Sequence, residues 1–96
     1  MKKQTLKFMP YASAYVMTNG NTATLISYKT TVAEIKDGWL EIYGLYSATT
    51  RRHIGAFMKE FVKYPNGEHG TYQDAKHIYE RGYRFNIETG EIEFLA

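Results

Sequence analysis

Hydrophobic and polar positions alternate through the first half of the chain. AYVMT (14–18), TATLISY (22–28), TVAEIK (31–36) and WLEIY (39–43) are short runs rich in β-branched and aromatic side chains, the composition of strands. Turn signals separate them at Asn19-Gly20, Lys29-Thr30 and Asp37-Gly38. Asn-Gly and Asp-Gly tolerate the positive φ angles of a type I′ turn, so this order predicts a four-stranded antiparallel meander. Residues 1–12 carry no firm period, although Leu6 and Phe8 suit a short edge strand ending at Pro10.

After Tyr46 the period becomes helical. Ile54, Phe57, Met58, Phe61 and Val62 recur at i, i+3, i+4, i+7 and i+8 and form one apolar stripe. Ser47 or Thr49 can cap its start, and Tyr64-Pro65-Asn66-Gly67 stops it. Thr71 opens a shorter helix, TYQDAKHIYER, with Gly82 just past its end. YRFNIE and EIEFLA then read as a hairpin around Thr89-Gly90, with Tyr83, Phe85 and Ile87 alternating with Arg84, Asn86 and Glu88. The expected fold class is α+β: a four-stranded antiparallel meander, two helices packed on one face and a C-terminal β-hairpin, in a single domain over 1–96.

Composition narrows the kinds of function. A net charge of +2 neither demands a polyanion nor resembles an acidic mimic of nucleic acid. The absence of cysteine removes disulfides, thiolate metal sites and cysteine nucleophiles together. Met1-Lys2-Lys3 with Ala12-Ser13-Ala14 imitates a signal peptide, but Lys7 and Pro10 interrupt its apolar segment. No stretch approaches the ~18 apolar residues of a membrane span, so a soluble cytoplasmic protein without membrane contact is expected. The nine tyrosines suit half-buried sheets, and equally contact surfaces and base stacking.

Catalytic and metal-binding signatures are missing. His53, His69 and His77 have no HxxH or HExxH spacing. NGEHG (66–70) lacks the pattern of a phosphate loop, and no GxSxG elbow exists. A non-enzymatic protein without metal or cofactor is expected.

Two stretches remain that can carry contacts. In YSATTRRHIG (46–55) the opening amides of a helix meet Thr49, Thr50, Arg51, Arg52 and His53. Such amides lack intrahelical partners and attract anions, so a phosphate suits the place. Packing offers a second reading: a threonine cap, a solvated Arg52, and Arg51 and His53 at the two borders of the apolar stripe. The other stretch is the hairpin around Asp37-Gly38. A two-residue turn pairs Lys36 with Trp39, Ile35 with Leu40, Glu34 with Glu41, Ala33 with Ile42 and Val32 with Tyr43. Two glutamates face each other across the strands and call for a cation nearby. Val32, Glu34, Trp39, Glu41 and Tyr43 share that face, a contact surface unless the N-terminal segment or the last hairpin covers it.

SYKTTVAEI, YSATTRRHI and FMKEF together resemble a family of small uncharacterised proteins carried by phages and plasmids of Gram-positive bacteria. The pattern runs SY-x-T-x-VA and YS-x-TT-x-RHI, met here by Ser27, Tyr28, Thr30, Val32, Ala33, Tyr46, Ser47, Thr49, Thr50, Arg52, His53 and Ile54. The resemblance implies a mobile genetic element and a bacterial host cytoplasm, and no reaction. The expectation is an accessory protein that binds nucleic acid or a nucleoprotein through the TTRRH helix start. The alternative is a protein-binding inhibitor of a host factor, such as a defence-system component, using Glu34, Trp39, Glu41 and Tyr43. Open strand edges also leave a homodimer open.

Overall fold

A computed structural model describes residues 1–95. The chain forms one seven-stranded antiparallel sheet with its strands in sequence order, and two helices interrupt the order between the fifth and sixth strands. The strands are β1 (Lys2–Thr5), β2 (Ala14–Asn19), β3 (Thr22–Ser27), β4 (Thr30–Lys36), β5 (Trp39–Ile42), β6 (Tyr83–Asn86) and β7 (Ile92–Phe94). The helices are α1 (Ala48–Phe61) and α2 (Tyr72–Arg81).

The α+β class holds, but the sheet exceeds the expected four-stranded meander at both ends. The N-terminal segment pairs through Lys2–Thr5 with β2, earlier than the expected Leu6–Phe8 strand. Leu6 instead drops fully into the core while Phe8 stays exposed. The C-terminal hairpin joins the same sheet, since Trp39 pairs with Asn86 and Leu40 with Phe85. An unpaired β5 edge would leave a row of backbone donors and acceptors without partners, and β6 supplies them. The last residue of the expected EIEFLA run, Ala96, lies outside the described residues.

Turn chemistry is shifted in two places. The first hairpin turns on Gly20-Asn21, with Asn19 paired to Thr22, and Gly20 takes the positive φ of 60°. The second turns on Tyr28-Lys29, with Ser27 paired to Thr30. Tyr28 and Lys29 sit at φ 51° and 79°, left-handed values that side chains with a Cβ adopt at a cost. The third hairpin keeps its expected register: Lys36 with Trp39, Ile35 with Leu40, Glu34 with Glu41 and Ala33 with Ile42.

A bulge modifies β4. Leu25 pairs with Ala33 and Ile26 with Thr31, so Val32 is the extra residue. The bulge re-aims Val32 into the core, fully buried beside Ala33, instead of onto the Glu34–Trp39 face.

Both helices have explicit ends. Ser47 caps α1, its hydroxyl accepting from the Thr50 amide at 3.2 Å. Thr71 and Asp74 form a reciprocal capping box at α2, and Gly82 ends that helix in the left-handed region at φ 74°. Helix α1 lies against β3, α2 against β5 and β6, and the helices touch each other. Ile54, Phe57 and Met58 of α1 join Val16, Leu25, Ala33, Leu40 and Ile42 in one core, each large side chain contributing about 1.5–3 kcal/mol through burial. Among the described residues no helix is long and apolar enough to cross a membrane.

Candidate functional site

The start of α1 and the Tyr28-Lys29 turn meet in the folded chain. Ser27, the last residue of β3, is 2% exposed, and His53, in the second turn of α1, is 1% exposed. The Ser27 Oγ lies 2.8 Å from His53 Nδ1 and 3.1 Å from Thr50 Oγ1. Ser47 Oγ in turn donates to Thr50 Oγ1 at 3.3 Å.

Ser47 donates to Thr50, while the Thr50–Ser27 and Ser27–His53 Nδ1 bonds can each run in either direction, as the imidazole tautomer sets them. Burial lowers the His53 pKa from its ordinary value of 6.5, in keeping with a neutral ring. A serine hydroxyl against an imidazole nitrogen is also the atom pair of a nucleophile and its base. Here both residues are closed off by their burial, and none of the five most developed clefts takes a side chain from Ser27 or positions 49–53.

The five residues expected at the helix start thus divide. Thr50 and His53 turn inward, where Thr50 Oγ1 and His53 Nδ1 meet Ser27. Thr49 is half-buried, and Arg51 and Arg52 are both exposed. The stripe geometry had Arg51 at a packed border; instead both arginines face water. The His53 partner is a side chain of β3 and not a backbone carbonyl.

Two tyrosines flank the network. The Tyr28 ring lies 5.7 Å from the His53 ring at 42° yet remains 55% exposed. Tyr46, directly before the Ser47 cap, is 57% exposed with φ 46°. Its ring folds back over Gly44, where a Cβ would come within 2.5 Å of it and push the exposed ring aside. Sequence reasoning allowed base or sugar contact from tyrosines near the helix start but named neither of these two. The signal was their place in the two quoted patterns, SY and YS, which the fold brings to one spot.

The second expected surface is half open. Trp39 is partly buried because the last hairpin places the Arg84 guanidinium 4.4 Å above its ring. Arg84 also pairs with Glu93 at 2.9 Å. Glu34 accepts from Thr24 Oγ1 at 3.1 Å and from the Tyr43 hydroxyl at 3.4 Å. Burial, with the charges of Glu34 and Glu41 adding to it, raises the Tyr43 pKa. Glu34, Trp39, Glu41 and Arg84 line a cleft of about 230 Å³, in which Arg84 pairs with Glu93 and Glu34 takes hydroxyl partners.

A family model matches residues 2–81, from β1 through the end of α2, under the description "Family of unknown function (DUF8033)". The chain belongs to this family. The DUF8033 span contains the whole Ser27–Thr50–His53 network and both flanking tyrosines, and it stops before the β6–β7 hairpin that supplies Arg84. No curated protein and no solved structure matches the chain.

Proposed function

We propose that this DUF8033 chain is a small non-enzymatic accessory protein of a phage or plasmid, working in the bacterial cytoplasm. It contacts nucleic acid or a nucleoprotein through the exposed side of the α1 start. The carrying observation is electrostatic. The first turn of α1 has no acidic residue, and Arg51 and Arg52 follow its threonines. Cations there oppose the helix macrodipole by about 0.3–1 kcal/mol each. The ion pair among the described residues is Arg84–Glu93, so neither arginine has a carboxylate to offset that. A local arrangement that disfavours the free protein and suits a bound anion is a mark of function. Burial of Ser27 and His53 supports the non-enzymatic part, and the SY and YS patterns support the mobile-element setting.

In this reading both helices lie on the sheet face that carries Val16, Leu25, Ala33 and Ile42. Arg51→Ala/Arg52→Ala should weaken binding to a labelled DNA duplex and reduce its salt dependence. Each lost phosphate contact lowers the slope of log K against log salt by about 0.9. Binding unchanged in affinity and slope sinks the proposal.

A protein-binding role for Glu34, Trp39, Glu41 and Tyr43 is the second reading, favoured by the cleft over Trp39. Trp39→Ala would then abolish capture of a host protein in a pull-down, whereas Arg51→Ala/Arg52→Ala would leave it intact.

A further inference from the structure

An open, shallow cleft lies beside the network, not within it. It measures about 500 Å³ and is lined by Lys3 and Thr5 of β1, Ala12 to Tyr15, and Tyr28 and Lys29 of the strained turn. That size is within the range of ligand sites. Two tyrosines and two lysines stand in its lining, with no carboxylate among them. Lys3 Nζ already sits 4.3 Å above the Tyr15 ring, and Tyr28 is 55% exposed. Glu34 and Glu41 line a separate cleft with Trp39.

We infer that this cleft binds single-stranded nucleic acid, with bases stacked on Tyr15 and Tyr28 and phosphates held by Lys3 and Lys29. The inference rests on the nucleic-acid reading and names its substrate class. Rings accept any base by its π-face, and lysines neutralise the backbone beside them. A duplex hides its base faces and gains only the lysine contacts. The turn explains how the groups reach the cleft: φ values of 51° and 79° at Tyr28 and Lys29 hold consecutive side chains where a relaxed turn residue such as asparagine or glycine would present neither.

The test is fluorescence anisotropy with a labelled oligothymidylate of about 16 nucleotides and a hairpin duplex of similar length, between about 50 and 200 mM salt. Tyr15→Leu and Tyr28→Leu should each weaken single-strand binding roughly 5- to 100-fold and leave duplex binding nearly unchanged. Lys3→Gln/Lys29→Gln should lower the single-strand salt slope by about 1.4, two phosphates at about 0.7 each. Arg51→Ala/Arg52→Ala is measured in parallel, and circular dichroism melts confirm that every variant folds. Loss in the arginine variant alone overturns the cleft and leaves the helix-start reading standing. Loss in the tyrosine and lysine variants alone supports the cleft and removes the helix start. A preference for duplex overturns the cleft, and failure of the unaltered protein to bind either probe overturns both.

Discussion

Replacing Ser27 by alanine takes one oxygen from the interior and strands two polar groups. Ser27 is 2% exposed and serves His53 Nδ1 at 2.8 Å and Thr50 Oγ1 at 3.1 Å. The change removes no methylene, so the packing loss is small and hydrogen bonding decides the outcome. Each lost bond is worth about 0.5–1.5 kcal/mol net, and an orphaned buried group costs about 1–3 kcal/mol. Thr50 keeps its bond from Ser47, whereas His53 Nδ1 is left without its hydroxyl partner. The expected loss is therefore about 2–3 kcal/mol. In a domain of this size that lowers Tm by about 8–24 °C, read by circular dichroism with urea titration as a check. Ser27→Ala/His53→Leu removes both ends of the bond, so its cost should fall short of the summed single changes by about 1 kcal/mol or more. A Ser27→Ala Tm within about 2 °C of the unaltered protein would refute the reasoning, as would strict additivity in the double variant.

Tyr28→Asn/Lys29→Gly installs a relaxed type I′ pair at φ 51° and 79° and should stabilise by about 1 kcal/mol, raising Tm by about 4–8 °C while single-strand binding falls. His53 is held neutral by burial with its pKa below 6.5; the unfolded chain binds the extra proton first, so stability is full above that value and is lost as pH falls. Melts across that range should slope downward toward acid, and His53→Gln should flatten them. Tyr64 behaves oppositely: burial, then its 2.8 Å bond to Asp74, pushes its pKa up from 10.0. The folded chain keeps a proton the unfolded chain releases, so stability is full below that value and declines as pH rises past it, a decline that Tyr64→Phe should reduce. Phe57→Ala empties a fully buried site stacked on Phe61 at 5.1 Å and should cost about 3–5 kcal/mol in urea titration.

Local rules were enough wherever the decisive partner lies nearby in the chain. The Asp37-Gly38 turn determines the Glu34–Glu41 register because a two-residue loop leaves one alignment of its flanks. Helix α1 follows from its stripe, and α2 from the spacing of Thr71, Asp74 and Gly82. The Tyr28-Lys29 turn was hidden for a physical reason: neither residue favours positive φ, so no local signal marks a site that the fold imposes. The bulge at Val32 was equally hidden, because alternation alone puts Val32 with Glu34 on the wet face.

The candidate site divides along the same line. The sequence by itself determined that a helix begins after Tyr46, that hydroxyls cap it, and that Arg52 stands outside the apolar stripe. Only the tertiary structure decided that Thr50 and His53 turn inward. Their partner is Ser27, 26 residues before His53 in the chain, and periodicity tells which face a residue takes without telling which distant polar atom it meets. Burial makes that meeting obligatory, because an unpaired hydroxyl or imidazole nitrogen in the core would cost more than the bond returns. With those two residues enclosed, the helix start offers solvent its arginines, and the turn beside it offers Tyr28 and Lys29.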